Sequence, residues 1–303
     1  MKASIIVCTL NSKNLRNCLK SLKKQSFKDF EILVVTPNPN VKKITNRFGV
    51  KFILSQFAGV SHQRNLGIKY AQGEIICFID DDAIADERWL EFLIKGFKEK
   101  VGCVGGKIKL LFEGEVKEDL KEIDEGLFKR FLGGTTLGNK KIELNEPLLW
   151  GSNLAVKKEI FEKIGFFDEM IGKKGEIELY NEEVELQERV LRKGYKLIYE
   201  PKAIVWHKVP TKKLNLEYFL KRAFWQGYSD VLAFRNEKVV KEFIEKMKDS
   251  NFYFLLKRKI FEETVEILLE KNPTQKILRY LKIGRGIGLL DLKRWLNERT
   301  QQV

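Results

Sequence analysis

Five apolar residues, Ile75-Ile76-Cys77-Phe78-Ile79, run without interruption and stop on three carboxylates, Asp80, Asp81 and Asp82. An unbroken apolar run of this length reads as a strand buried on both faces, as in a parallel sheet covered by helices. Ligands of such sheets sit beyond the carboxyl ends of the strands, where these aspartates fall. Adjacent carboxylates repel at neutral pH unless a cation joins them. Asp80 and Asp82 are two residues apart and so point to one side of an extended chain. They can share one hard divalent ion, which takes oxygen ligands and completes its shell with water and phosphate. The plainer alternative is an Asp-rich turn whose side chains bond local backbone.

The flanking chain repeats the strand–helix rhythm. Strands are expected at 3–9, 30–35 and 51–54, the second closed by Thr36-Pro37-Asn38-Pro39, since proline cannot continue a ladder. A helix capped by Asn11 or Ser12 carries Leu15, Cys18, Leu19 and Leu22 on one face. Further helices are expected over 61–71 and from Asp86, the latter turning Trp89, Leu90, Leu93 and Phe97 inward. This alternation predicts an α/β fold with a mostly parallel central sheet. Beyond it, strands are expected at 101–112, 148–156, 195–198 and 203–206, and helices at 158–164 and from Glu182, the last capped by Asn181. A weak helix is read at 123–131, and 132–146 takes no assignment. After residue 216 helical periods dominate: 218–234, 239–247, 252–269 and 275–295. In the first of these, Phe219, Phe224, Trp225 and Tyr228 read as core against the sheet.

The chain has 303 residues, 44% of them hydrophobic, which supports a sizeable core and argues against disorder. Its net charge of +14 is uneven. Residues 208–303 hold 21 Lys and Arg against 12 Asp and Glu, an excess of 9. A basic surface attracts nucleic acid, anionic lipid or phosphate-bearing substrates, and charge alone does not choose among them. Cys8, Cys18, Cys77 and Cys103 form no Cys-x-x-Cys pair. They read as reduced, core-filling thiols of a cytosolic protein. Neither a signal peptide nor a 20-residue apolar span is visible in the sequence, so the expected location is cytoplasmic, at most peripheral on the cytoplasmic face of a membrane.

Other stretches could bear on the aspartates. Thr9-Leu10-Asn11 ends the first strand before a helix, so its backbone could meet a nucleotide base, although such a tip is often only a helix start. Arg64 opens the helix before the aspartate strand, and guanidinium forks suit phosphate oxygens; a surface ion pair is the ordinary alternative. Glu182 and Glu183 begin a helix after a loop with Gly172 and Gly175. A helix N-terminus favours negative charge and keeps a carboxylate able to accept a proton. His207, one of two histidines, follows the apolar Ile204-Val205-Trp206. At a strand end it could be structural or a further ligand of the same ion.

Taken in order, these stretches resemble the nucleotide-sugar glycosyltransferases of family 2, which have the GT-A fold, a Rossmann-like sheet flanked by helices. The resemblance covers residues 3–234. Its motifs are Ser4 to Asn11, Arg64-Asn65-Leu66-Gly67, Phe78-Ile79-Asp80-Asp81-Asp82, Trp150-Gly151-Ser152-Asn153, Ile164-Gly165-Phe166-Phe167-Asp168-Glu169, and Glu182-Glu183-Val184-Glu185-Leu186 with Arg189. Gly194-Tyr195, Pro201, His207 and Arg222-Ala223-Phe224-Trp225-Gln226-Gly227 complete it.

The resemblance implies an enzyme, a metal-dependent inverting glycosyltransferase of hexosyltransferase type. Asp82 would bind Mg²⁺ or Mn²⁺ directly, Asp80 would hold the ribose or a metal-bound water, and His207 would complete the metal site. Thr9, Leu10, Asn11, Thr36, Arg64, Asp80 and Asp81 would form the nucleotide site. Trp150, Gly151 and Asn153 would lie at the acceptor side, and Glu183 would be the base with Glu182 as its acidic neighbour. The partners implied are a nucleoside-diphosphate sugar, UDP-linked by preference, and a saccharide or polyprenyl/dolichyl-phosphate-linked acceptor, with an anionic membrane surface as a further partner and no nucleic acid. Two departures stand out. Thr36-Pro37-Asn38 replaces the paired aspartates, one of which reads uracil, so guanosine and deoxythymidine donors stay open, and Glu183 stands where many members have Asp. A catalytic domain over 1–210 and a basic helical region over 211–303 are expected. The competing readings are a nucleotidyltransferase acting on sugar phosphates, which would not need the Glu182-Glu183 helix, and a non-catalytic basic nucleic-acid-binding protein, whose phosphate partner the carboxylates would repel.

Overall fold

A computed structural model describes residues 1–300 except 12, 176, 237 and 248. In chain order it contains β1 (Ala3–Cys8), α1 (Leu15–Lys23), β2 (Phe30–Thr36), α2 (Lys42–Phe48), β3 (Lys51–Leu54) and α3 (Val60–Tyr70). Next come β4 (Ile75–Asp80), β5 (Ala83–Ala85), α4 (Trp89–Gly96), β6 (Val101–Phe112), α5 (Glu118–Lys121) and α6 (Glu125–Phe131). They are followed by β7 (Ile142–Leu144), β8 (Leu154–Lys157), α7 (Lys158–Ile164), α8 (Glu182–Arg192) and β9 (Lys196–Val209). The helices α9 (Leu216–Ala233), α10 (Lys238–Lys246), α11 (Ser250–Leu269) and α12 (Pro273–Thr300) close the chain. Two compact units result: one of 1–113, 132–169 and 182–209, the other of 114–131, 170–181 and 210–303.

The first unit is built on one sheet of order β3-β2-β1-β4-β8-β6-β9-β5, with β7 on β9. The strands β1 to β4 are parallel, β8 runs antiparallel to β4 and β6, and β6 and β9 are again parallel. Alternation along the strands supplies two cores. Ile5, Val7, Cys77 and Ile79 pack on one face beneath α1 and α4, while Ile6, Ile76 and Phe78 pack on the other with Phe161, Phe167 and Leu186. Register places Cys8 opposite Asp80, so the tips of β1 and β4 share one rim.

Several boundaries differ from expectation for identifiable reasons. The helix α1 starts at Leu15 with Asn14 at its cap position and no side-chain cap. Asn11 instead folds an Asx turn, its Oδ1 accepting the Lys13 N–H at 3.0 Å, and Ser12 lies outside the described residues. Asp86 likewise accepts from the Arg88 N–H at 3.0 Å, which delays α4 to Trp89. The strand expected over 148–156 shortens to β8 because Gly151–Asn153 forms a 3₁₀ turn. The two strands expected at 195–198 and 203–206 are one, β9, with a register shift that carries Gly106↔Glu200 to Lys107↔Ile204. Gly106 permits that shift, since a Cβ there would lie 1.9 Å from the Ala203 carbonyl oxygen. The unassigned stretch 132–146 contains β7.

In the second unit α12 runs along α9, and paired glycines set the spacing. A Cβ on Gly227 would meet the Leu281 carbonyl at 2.0 Å, and one on Gly284 the Phe224 carbonyl at 2.0 Å. Phe219 is fully buried, stacked on the α6 rings Phe128 at 5.3 Å and Phe131 at 6.3 Å. Phe224, Trp225 and Tyr228 are half-buried and touch one another. Asp230 ties the helices together: its Oδ1 accepts from Gln226 and Asn181, and its Oδ2 from both Nε and Nη2 of Arg285. The Asn181 side chain, expected to cap α8, is engaged in this network and its φ is +75°.

Candidate active site

The aspartates alternate in direction at the end of β4, as their spacing requires. One carboxylate oxygen each of Asp80 and Asp82 and one imidazole nitrogen of His207 lie within 4.8 Å of one another. Asp81 points elsewhere and lies against the Thr9 hydroxyl. His207 reaches the pair from near the end of β9, because Ala83 pairs with His207 and the Lys208 N–H donates to the Asp82 carbonyl at 3.0 Å. Its Nε2 lies 3.3 Å from Asp82 Oδ1. Two carboxylates and an imidazole are a donor set that a divalent cation can take, the oxygens suiting a hard ion and the nitrogen a borderline one. The residues present therefore fit a divalent metal.

Electrostatics match such a role. Burial raises the Asp80 carboxyl above its ordinary range, with Arg64 opposing and Asp82 reinforcing the rise. Burial lifts Asp81 to about 7, against the hydrogen bond from Thr9. A rim of carboxylates held above their usual range gains most from a cation.

Arg64 sits between this rim and α8. Its Nη1 donates to Glu182 Oε1 at 2.7 Å and its Nη2 lies 3.7 Å from Asp80 Oδ1. The guanidinium packs on the rings of Phe78 and Phe167 and is only 5% exposed. Here the fork expected to meet a diphosphate is closed on a buried carboxylate. Gly151 leaves room for it, since a Cβ there would approach Nη2 to 2.4 Å. Glu183 is held beside the same turn, with its Oε1 accepting the Gly151 N–H at 3.4 Å. Burial and the adjacent Glu182 raise its carboxyl to about 7, with Arg64 opposing.

The remaining candidates divide. Leu10 is exposed at the β1 tip, and Asn11 is exposed beside it. Thr36 is buried at the end of β2, its hydroxyl accepting the Asn38 N–H at 3.1 Å. Trp150 is half-buried next to Gly151. Asn153, expected at the acceptor side, is fully buried and its amide is committed to the fold. It donates to the carbonyls of Lys107 and Ala203 and accepts from Trp89 Nε1 at 2.8 Å. That leaves it to brace the β6–β9 irregularity.

Three polar residues to which the sequence assigned no role hold the site's elements together. Gln63 donates to the carbonyls of Thr9 and Val35 and ties the tips of β1 and β2. Gln187 is fully buried one turn after Glu183. It donates to the carbonyls of Leu149 and Glu183, both at 2.8 Å, and accepts the Leu149 N–H at 3.1 Å. Asn65 donates to the Phe167 carbonyl and Glu169, and accepts the Phe167 N–H at 2.9 Å. Polar residues inside otherwise apolar helix faces were the available signal.

The comparisons with known proteins agree with this geometry. Residues 4–165 match the model of Glycosyl transferase family 2. Over 242 residues the chain is 25% identical to the glucosyl-dolichyl phosphate glucuronosyltransferase of Haloferax volcanii, covering 76% of each. It is 26% identical over 282 residues to the probable glycosyltransferase YdaM of Bacillus subtilis, covering 85% of this chain and 59% of that one, so it spans about three-fifths of the relative's length. The solved mannosyltransferase PcManGT from Pyrobaculum calidifontis, in complex with GDP-Man and Mn²⁺, superposes with a TM-score of 0.57 at 16% identity over 96% of this chain and 87% of that one. GalNAc-T7 with UDP, GalNAc and Mn²⁺ gives 0.55 at 16%, covering 77% and 47%. With the family model matched over more than half its length and the glycosyltransferase fold shared with both solved proteins, the chain belongs to glycosyl transferase family 2.

Proposed function

We propose that this glycosyltransferase is metal-dependent and inverting, and moves a sugar from a nucleoside diphosphate to a hydroxyl of a saccharide or polyprenyl-phosphate-linked acceptor. The observation that carries the reading is the convergence of Asp80, Asp82 and His207 within 4.8 Å, with Arg64 joining that rim to the Glu182-Glu183 helix. A divalent ion held by Asp80, Asp82 and His207 would neutralise charge developing on the diphosphate leaving group. Thr9, Leu10, Asn11 and Thr36 at the β1 and β2 tips would receive the base, with Asp81 beside them. Glu183 takes the proton from the acceptor hydroxyl as that oxygen attacks the anomeric carbon from the face opposite the leaving group. Arg64, buried among carboxylates and bonded to Glu182, keeps positive charge near the reaction. Trp150 and Gly151 border the acceptor side.

The donor we favour is a UDP-sugar. The family relation to a glucosyl-dolichyl phosphate glucuronosyltransferase supports a lipid-linked acceptor at the cytoplasmic face of a membrane; among the described residues no helix is long and apolar enough to cross one. The test is thermal-shift titration with UDP, GDP and dTDP and their sugars, with Mn²⁺ or Mg²⁺. Stabilisation that requires both nucleotide and metal is expected, and a flat response across the panel overturns the reading.

A further inference from the structure

The helix α11 has two apolar faces and only one of them is covered. Ile260 packs on α12 where Gly286 leaves space, since a Cβ there would lie 2.7 Å from Ile260 Cγ1, and Ile267 is buried on the same side. On the opposite side Phe254, Phe261, Val265 and Leu268 recur at steps of seven, four and three and are 66%, 68%, 40% and 81% exposed. Leu269, 73% exposed, extends the stripe. These steps hold one line on a 3.6-residue helix, so the stripe runs straight for about 20 Å. Exposed apolar patches of this kind mark interaction surfaces.

Charge selects the occupant. Every acid on α11 is matched: Glu262 by Arg258 at 2.8 Å, Glu263 by Arg279 at 2.9 Å and Lys282 at 3.3 Å, and Glu266 by Arg279 at 3.3 Å. Lys259 and Lys271 remain exposed on the same helix and just beyond its end. The last third of the chain carries an excess of 9 positive charges. A second copy would bring that excess against itself, and a nucleic-acid backbone offers nothing to two phenyl rings. A bilayer surface bearing anionic lipid accepts both, apolar side chains at the acyl boundary and cations at the headgroups.

We propose that the outer face of α11 is a docking surface for anionic membrane, with Phe254, Phe261 and Leu268 as its inserted side chains. Its purpose rests on the lipid-linked acceptor argued above; its test does not. The full chain is floated at low salt with vesicles of phosphatidylglycerol and phosphatidylcholine in equal parts, and with phosphatidylcholine alone. The wild type is expected to bind the anionic vesicles, and the triple variant Phe254→Ser, Phe261→Ser, Leu268→Ser to bind at least about tenfold more weakly. A wild type that ignores anionic vesicles, prefers neutral ones equally, or is matched by the variant overturns the proposal. So does a wild-type dimer in light scattering that the variant loses, because the face would then be covered by a second copy. The metal-dependent nucleotide thermal shift, run on both proteins, separates the two readings. If it persists without vesicle binding, the surface is wrong and glycosyl transfer stands; if it is absent while vesicles bind, the reverse holds.

Discussion

Glu183 and Arg64 make opposite demands on the interior, and both can be tested singly. Burial raises the Glu183 carboxyl to about 7, so a base at this position is half protonated near neutrality. Its carboxylate form accepts the acceptor proton, so kcat is expected to rise as pH increases through about 7 and level off above. Glu183→Gln keeps an oxygen for the Gly151 N–H and removes the base. Its kcat should fall about 10²–10⁴-fold with metal-dependent nucleotide binding retained, and retained turnover with the true acceptor would refute the assignment. Stability moves the other way. A carboxyl whose folded pKa exceeds its unfolded value contributes stability below the unfolded value and loses it as pH rises through the folded one. Glu183→Gln should therefore melt higher than wild type at about pH 8 and not at about pH 5. For Arg64 the reverse holds. Truncation to Ala strands the carboxylate of Glu182 in the interior, and about 3–5 kcal/mol of stability should be lost in denaturant titration. The carboxylates and Arg64 were legible in the sequence as residue types. That Arg64 would be closed on Glu182 rather than open to a diphosphate was not, because burial is a property of the surrounding elements.

The element scale shows how the base is held. Gln187 lies one turn beyond Glu183 on α8 and pairs with both backbone groups of Leu149, as a neighbouring strand would. That amide fixes α8 against the segment leading to Trp150 and Gly151, whose N–H meets Glu183. Gln187→Leu leaves the Leu149 N–H and carbonyl buried without partners, so a loss of about 2–4 kcal/mol is expected. If Gln187 also positions Glu183, kcat should drop further than the melting loss explains, while the KM for the donor stays near wild type. Equal changes in both constants would reduce Gln187 to a structural role. Much at this scale was readable beforehand, since the unbroken apolar runs of β1, β2 and β4 and the amphipathic α1 and α8 each carry their pattern locally. The reversal at β8, the 3₁₀ turn before it and the irregularity in β9 were not readable. They depend on Asn153 bridging residues 107 and 203, contacts between positions far apart in sequence. The short β5 and β7 are three residues each, too brief for any periodic signal.

For the molecule as a whole, the metal is the stability term that pH should expose. Burial holds Asp80 above its ordinary range and lifts Asp81 to about 7. Without a cation their folded pKa values exceed the unfolded ones, so their contribution is present below the unfolded value and fades as pH rises toward 7. The metal-free chain is thus expected to lose stability between about pH 5 and about pH 8. An ion that binds the ionised carboxylates and the neutral imidazole competes with protons for the same atoms, so its affinity grows over the same range. At a hundredfold excess over its dissociation constant it should contribute about 3 kcal/mol, seen as several degrees of melting temperature. The expected outcome is a Mn²⁺-induced thermal shift that is large at about pH 8, small at about pH 5 and erased by chelation. Asp82→Asn should remove most of the shift while melting close to, or above, the metal-free wild type, because one of the mutually repelling charges is gone. A shift indifferent to pH, or one that survives in Asp82→Asn, would place the cation elsewhere on the chain, and glycosyl transfer at this rim would then lack the group that its diphosphate leaving group requires.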